Sequence, residues 1–166
     1  MGDRDRLVEK LRLEGEKAVR FFDQIGAADW DKIVYAGDQP WSVRDVLSHI
    51  VDTEAGHVLL VENVIRGGEG ASKGFEIDEY NAMGIASRKH QSPRDLIAEF
   101  SVQRKKILEL ISGLSTDELA MVGRDPYLGE VSVSRMLRMF YLHVNIHIRE
   151  MRKVLGQQRR RQDGNK

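Results

Sequence analysis

The sequence predicts an all-α protein: a four-helix bundle with a long crossover connection between its second and third long helices. Three observations predict it. The 166 residues include only three prolines. Apolar side chains recur at helical rather than alternating spacing along four long segments. Several segment starts carry a serine followed three residues later by an acid, the capping box that satisfies orphan N–H groups at a helix start. Four helices that each have one apolar stripe bury those stripes together in a bundle.

The first helix is expected from about Asp5 to Ile25, with Leu7, Leu11, Ala18, Phe21, Phe22 and Ile25 on its apolar stripe and Gly26 as its stop. Ser42 and Asp45 cap the second, with Trp41 placed to staple onto Val46. That helix ends near Arg66, before Gly67 and Gly68. A glycine-rich loop to about Glu76 precedes a short helix over about Asp78–Lys89, and these two pieces form the crossover. Ser92 caps the third long helix, with Pro93 at its first position, where a missing N–H costs nothing. That helix runs to about Ser112. Ser115 to Glu118 caps a brief helical turn, and Asp125 to Gly129 reads as a turn. The fourth long helix covers about Ser132 to Leu155 and stops at Gly156. Residues 1–156 are expected to form a single domain. Residues 157–166, basic and without apolar side chains, are expected to be a disordered tail.

Lys plus Arg and Asp plus Glu are both 26, for a formal net charge of zero. This balance argues against nucleic acid as a partner. No run approaches the ~18 apolar residues of a membrane span, which argues against a membrane partner. The charged start, Met1 to Leu11, lacks the apolar centre of a secretion signal, so the chain is expected to be cytoplasmic. There is no cysteine, which excludes disulfides, thiolate catalysis by the chain and Cys-ligated zinc.

Histidine carries what chemistry the sequence offers. His143 and His147 lie four apart on the fourth long helix, about 40° from one another on one face. Met136, Phe140 and Met151 share that arc, so both imidazoles point toward the edge of the core. A zinc protease of the His-Glu-x-x-His type is excluded because Val144 stands where the Glu is needed. On the second helix, His49 flanks the apolar arc, while Glu54 and His57 fall nearer its middle. Glu54 and His57 form one Glu-x-x-His pair, but a ferritin-like di-iron site needs a second pair and further carboxylates. His90 reads as an exposed loop histidine. From spacing alone, core-facing histidines satisfied by polar neighbours are a better reading than metal ligands.

Two motifs decide further. The segment from Trp41 through His49 to Ile50, and about ninety residues on the segment from Tyr141 through His143 and His147 to Arg149, resemble the DinB-like (YfiT-like) superfamily. Phe75 to Asn81, followed by the Ser92-capped helix, is similar to the family's middle region. The resemblance spans about residues 5–155. It implies a four-helix bundle, often a homodimer, that holds a divalent metal on three histidines. These fall by position on His49, His143 and His147, and only the resemblance selects His49 over His57. The metal would be zinc or nickel, since imidazole suits both. The family's known activities imply a small-molecule substrate and a low-molecular-weight thiol as cosubstrate, as in thiol-dependent S-transfer. Glu54, His57, Tyr80 and Asn81 are candidates for roles behind the ligands or in the pocket. The alternative is a non-catalytic dimeric bundle that binds a small ligand or a structural metal, for which Glu54 or His57 would supply a fourth protein ligand.

Overall fold

The computed structural model describes residues 2–163, with side chains described to Gly156. Its elements in chain order are α1 (Asp3–Asp23), a 3-10 turn (Ala27–Asp29), β1 (Ile33–Tyr35), β2 (Trp41–Ser42), α2 (Val43–Ile65), α3 (Ile77–Ser87), α4 (Pro93–Gly113), α5 (Thr116–Ala120), β3 (Val122–Asp125), β4 (Gly129–Ser132) and α6 (Val133–Asp163). The bundle expected from the sequence is present, and α1, α2, α4 and α6 are its four long helices. Each of α1 and α2 packs against both α4 and α6, so the order around the bundle is α1, α4, α2, α6. Successive helices α1 and α2 therefore face each other diagonally.

Two apolar clusters show how the helices run. One joins Ala18 and Phe22 at the end of α1 to Val43, Val46 and Leu47 at the start of α2, Leu96 and Phe100 at the start of α4, and Met151 late in α6. The other joins Leu7 and Leu11 to Val61 and Val64, Ile107 and Ile111, and Val133 and Met136. α1 and α6 thus run one way, and α2 and α4 the other. Parallel α2 and α4 need a return path, and the loop with α3 supplies it as the expected crossover. Each fully buried Leu, Ile or Phe in these clusters contributes roughly 1.5–3 kcal/mol, and Phe22 adds an edge-on contact with Phe100, ring centroids 5.6 Å apart.

The capping boxes form as read. Ser42, Ser92 and Ser115 each accept from the backbone N–H three residues on, and Asp45, Asp95 and Glu118 each accept in return from the serine's backbone N–H. The sequence reading missed both strand pairs. β1 and β2 pair antiparallel at one end of the bundle, and β3 and β4 pair antiparallel at the other. Strands of two to four residues are too short to show an alternating period, and these are held by packing onto α2 and α6. Trp41, expected as a staple, lies in β2, packs against the cluster that includes Val46 and sets its ring against His49 and Tyr35. The backbone of α6 continues past Gly156, where a stop was expected. Of the tail expected to be disordered, residues 164–166 and all side chains beyond Gly156 lie outside the described residues. Among the described residues, no helix is long and apolar enough to cross a membrane.

Candidate metal centre

Near the first cluster, α2 crosses α6 and brings His49 to His143 and His147. His49 Nε2 lies 3.0 Å from His143 Nε2, and His147 Nε2 lies 2.9 Å from the same atom. One nitrogen from each ring falls within 4.8 Å of the others. Nitrogens bound about 2.0–2.1 Å from one tetrahedral ion stand about 3.3–3.4 Å apart, so the three imidazoles are close to the spacing a single cation demands.

Their other nitrogens explain the orientation. His147 Nδ1 is 2.8 Å from the Tyr35 hydroxyl, and His49 Nδ1 is 3.4 Å from Thr53 Oγ1. A hydrogen on each Nδ1, donated to those oxygens, leaves the Nε2 lone pairs facing one another. Burial pushes His49 down to about 3, His143 to about 2 and His147 to about 4; the other imidazoles push His49 and His143 the same way. All three rings are therefore neutral at neutral pH, the form that donates to a metal. The donor set, its convergence and its protonation state fit a divalent cation. The rings border a cavity of about 510 Å³ whose walls include Tyr35, Trp41, Asn81 and Tyr127.

Of the remaining sequence candidates, only Asn81 lies beside the three histidines. Glu54 is fully buried and pairs with Arg104, which also donates to the Phe140 carbonyl at 2.6 Å. Burial pushes its carboxyl up to about 7 against the pull of Arg104. Glu54 thus supports the packing of α2 against α4 and has no contact with the three imidazoles. His57 donates from Nδ1 to the Thr53 carbonyl at 3.1 Å, and its Nε2 lies 3.4 Å from Asp125 Oδ2. Tyr80 donates to the Asp52 carbonyl at 3.2 Å, and burial pushes its hydroxyl up to about 12. Asn81 borders the three-histidine cavity. His90 is exposed, as expected.

Sequence reasoning missed Tyr35, Arg104 and Asp125. A signal existed for Tyr35: Ile33-Val34-Tyr35 is β-prone, and Gly37 to Pro40 is turn-prone. Nothing local marks Arg104, an arginine on a helix rich in charge.

An up-down-down-up bundle with histidines pooled from α2 and α6 defines a class of helical proteins with a metal-ready centre. The chain belongs to the DinB superfamily, whose sequence profile matches residues 10–151. No curated protein matches the chain. Among solved structures, it is similar to YfiT from Bacillus subtilis, described as a probable metal-dependent hydrolase with an unusual four-helix bundle topology. The TM-score is 0.78 at 14% identity, covering 95% of this chain and 90% of YfiT. It is also similar to a mycothiol-dependent maleylpyruvate isomerase, at TM-score 0.74 and 16% identity, over 90% of this chain and 61% of the isomerase. A third is the colibactin self-resistance protein ClbS in complex with a dsDNA, at TM-score 0.70 and 13% identity, over 94% of this chain and 95% of ClbS. Identities this low show a shared fold.

ClbS corrects one expectation. Net charge was read as arguing against nucleic acid, yet a protein of this fold binds duplex DNA. A sum of charges says nothing about how they are spread over the surface, and phosphate contacts need only a local basic region. Zero net charge is no ground for excluding a nucleic-acid partner.

Proposed function

We propose that the chain is a metal-dependent enzyme in which His49, His143 and His147 hold one divalent cation, zinc or nickel, and that it carries out thiol-dependent S-transfer or related chemistry on a small electrophilic molecule. The observation that carries this reading is the convergence of three neutral imidazole nitrogens at the wall of a cavity. A cation held there would supply Lewis acidity at a position the protein leaves free, lowering the pKa of a thiol or water. Tyr35 holds the His147 ring in its ligating orientation through Nδ1. Trp41, with its ring centroid 4.9 Å from that of His49, packs against that imidazole and borders the same cavity. The chain has no cysteine, so a reacting thiolate arrives with the cosubstrate. The metal dependence and mycothiol dependence named for the two structural relatives support the same reading.

A structural metal needs a fourth protein ligand. Among the described residues the cluster holds three, while Glu54 pairs with Arg104 and His57 faces Asp125. That arrangement favours the enzyme over the non-catalytic module. The test is metal analysis of the native protein, followed by thiol-transfer assays on stripped and reloaded protein against a panel of electrophiles. One metal per chain and metal-dependent turnover are expected. Absence of stoichiometric metal, or a His143→Ala variant with unchanged metal affinity, overturns the reading.

A further inference from the structure

A second cavity, of about 300 Å³, opens between α2, α3 and the β3–β4 turn. Leu59, Phe75 and Tyr127 line it and remain exposed, and Leu60, Ile77 and Tyr80 form more of its wall. Apolar side chains gathered at an open cavity mark a surface that something comes to cover. The polar groups along the wall are largely engaged elsewhere. The Tyr80 hydroxyl donates to the Asp52 carbonyl, and Asn63 Oδ1 accepts from the Gly70 N–H at 2.9 Å. His57 faces the Thr53 carbonyl and Asp125. What is left facing the space is mainly hydrocarbon and aromatic surface.

The wall is also held in place, although half of it is a glycine-rich loop. The Ala71 N–H donates to the Arg124 carbonyl and the Arg124 N–H to the Glu69 carbonyl, both at 2.8 Å. The Arg124 guanidinium returns to the Ala71 carbonyl at 2.9 Å. Gly70 permits this: its φ is +88°, and a Cβ there would collide with the Arg124 backbone. Across the cavity, Gly56 leaves the room that the Tyr80 hydroxyl occupies against α2. Tyr80 in turn sets its ring against Phe75, 5.3 Å between centroids. Walls fixed before binding spare a ligand the cost of ordering them.

Asn81 and Tyr127 border both this cavity and the one beside the three histidines, so the two adjoin. A cavity of about 150 Å³ lined by Leu, Ile and Phe holds benzene, so this one has room for a ring and a substituent. We propose that the cavity between α2 and α3 binds the apolar, ring-bearing body of a small molecule whose polar end passes Asn81 toward the three histidines. That this molecule is the electrophile rests on the proposed metal chemistry; the seating of its ring does not.

Benzamide and acetamide are the probes, one polar group with and without a ring. They are titrated into the metal-stripped full-length protein and followed by amide chemical shifts. Benzamide is expected to shift the amides of Gly56, Ala71 and Phe75, and to bind about tenfold or more tightly than acetamide. Ala71→Phe places a ring in the space and should abolish the preference, while Ala71→Ser keeps it. Both variants should retain the native urea midpoint and metal affinity. Equal affinities in the native protein, or shifts confined to other regions, overturn the proposal. So does movement of these amides when the protein alone is concentrated, because a second copy then covers the patch. Ring preference in a protein that takes up no metal defeats the proposed enzyme chemistry alone. Stoichiometric metal without ring preference defeats the pocket alone.

Discussion

His49 and His57 sit about two turns apart on α2, both nearly closed to solvent, and they end in opposite surroundings. His49 meets two more imidazoles from α6, and one nitrogen of each ring lies within 4.8 Å of the others. His57 meets a carboxylate from the β3–β4 hairpin, its Nε2 lying 3.4 Å from Asp125 Oδ2. The same side chain on the same helix takes its chemistry from what packs across from it.

The first way to break the comparison is to remove what holds α2 in place between the two histidines. Arg104→Met leaves Glu54 buried without its counter-charge and should cost ~3–5 kcal/mol, read as a lower urea midpoint with both sites disturbed. Adding Glu54→Leu should recover most of that loss. Next in size is His143→Ala. A divalent metal at a hundred times its Kd should stabilise the native chain by about 2.7 kcal/mol, and His143→Ala should abolish that increment while Asp125→Asn keeps it. If both variants keep the increment, the two histidines do not differ as described.

A smaller effect is expected at Tyr35. Tyr35→Phe removes the oxygen at His147 Nδ1 and should weaken metal affinity by about 10–100-fold, with little change in the metal-free urea midpoint. Acid should act on the metal-free three-histidine cluster in one direction. Burial holds His49, His143 and His147 at about 3, 2 and 4, against about 6.5 in the unfolded chain. The unfolded chain therefore takes up protons first, and stability present above pH ~6.5 should be lost as pH falls through ~4 and below. Urea midpoints across that range would show it, and a flat profile would contradict the burial argument. The mildest pair is Ser42→Ala and Ser92→Ala. Each removes a helix cap at a cost of about 1 kcal/mol, but only the Ser42 change, at the junction of β2 and α2, should alter metal affinity.

Three helix starts were legible because they are announced locally: Ser42, Ser92 and Ser115 open helices where the serine and the acid three residues on can satisfy each other. The centre was only half legible. His143 and His147 are placed together by the helical repeat itself. His49 is not, because periodicity puts His57 nearer the middle of the apolar arc, and what selects His49 is the level at which α2 crosses α6. Tyr35 and Asp125 lie on strands too short to carry a period, so their roles emerge only after the bundle has closed. Net charge misled outright on nucleic acid, since it averages over the distribution that a phosphate backbone would meet.

The diagonal placement of α1 and α2 has an evolutionary reading. The link between them must traverse the end of the bundle, and it does so as the segment that carries Tyr35 and Trp41 over the histidines. Insertions or exchanges in that span leave the helix-to-helix contacts untouched while reshaping the ceiling above the three histidines. Selection can therefore re-tailor that ceiling without renegotiating the core. A single inherited scaffold can then diversify by its roofing alone.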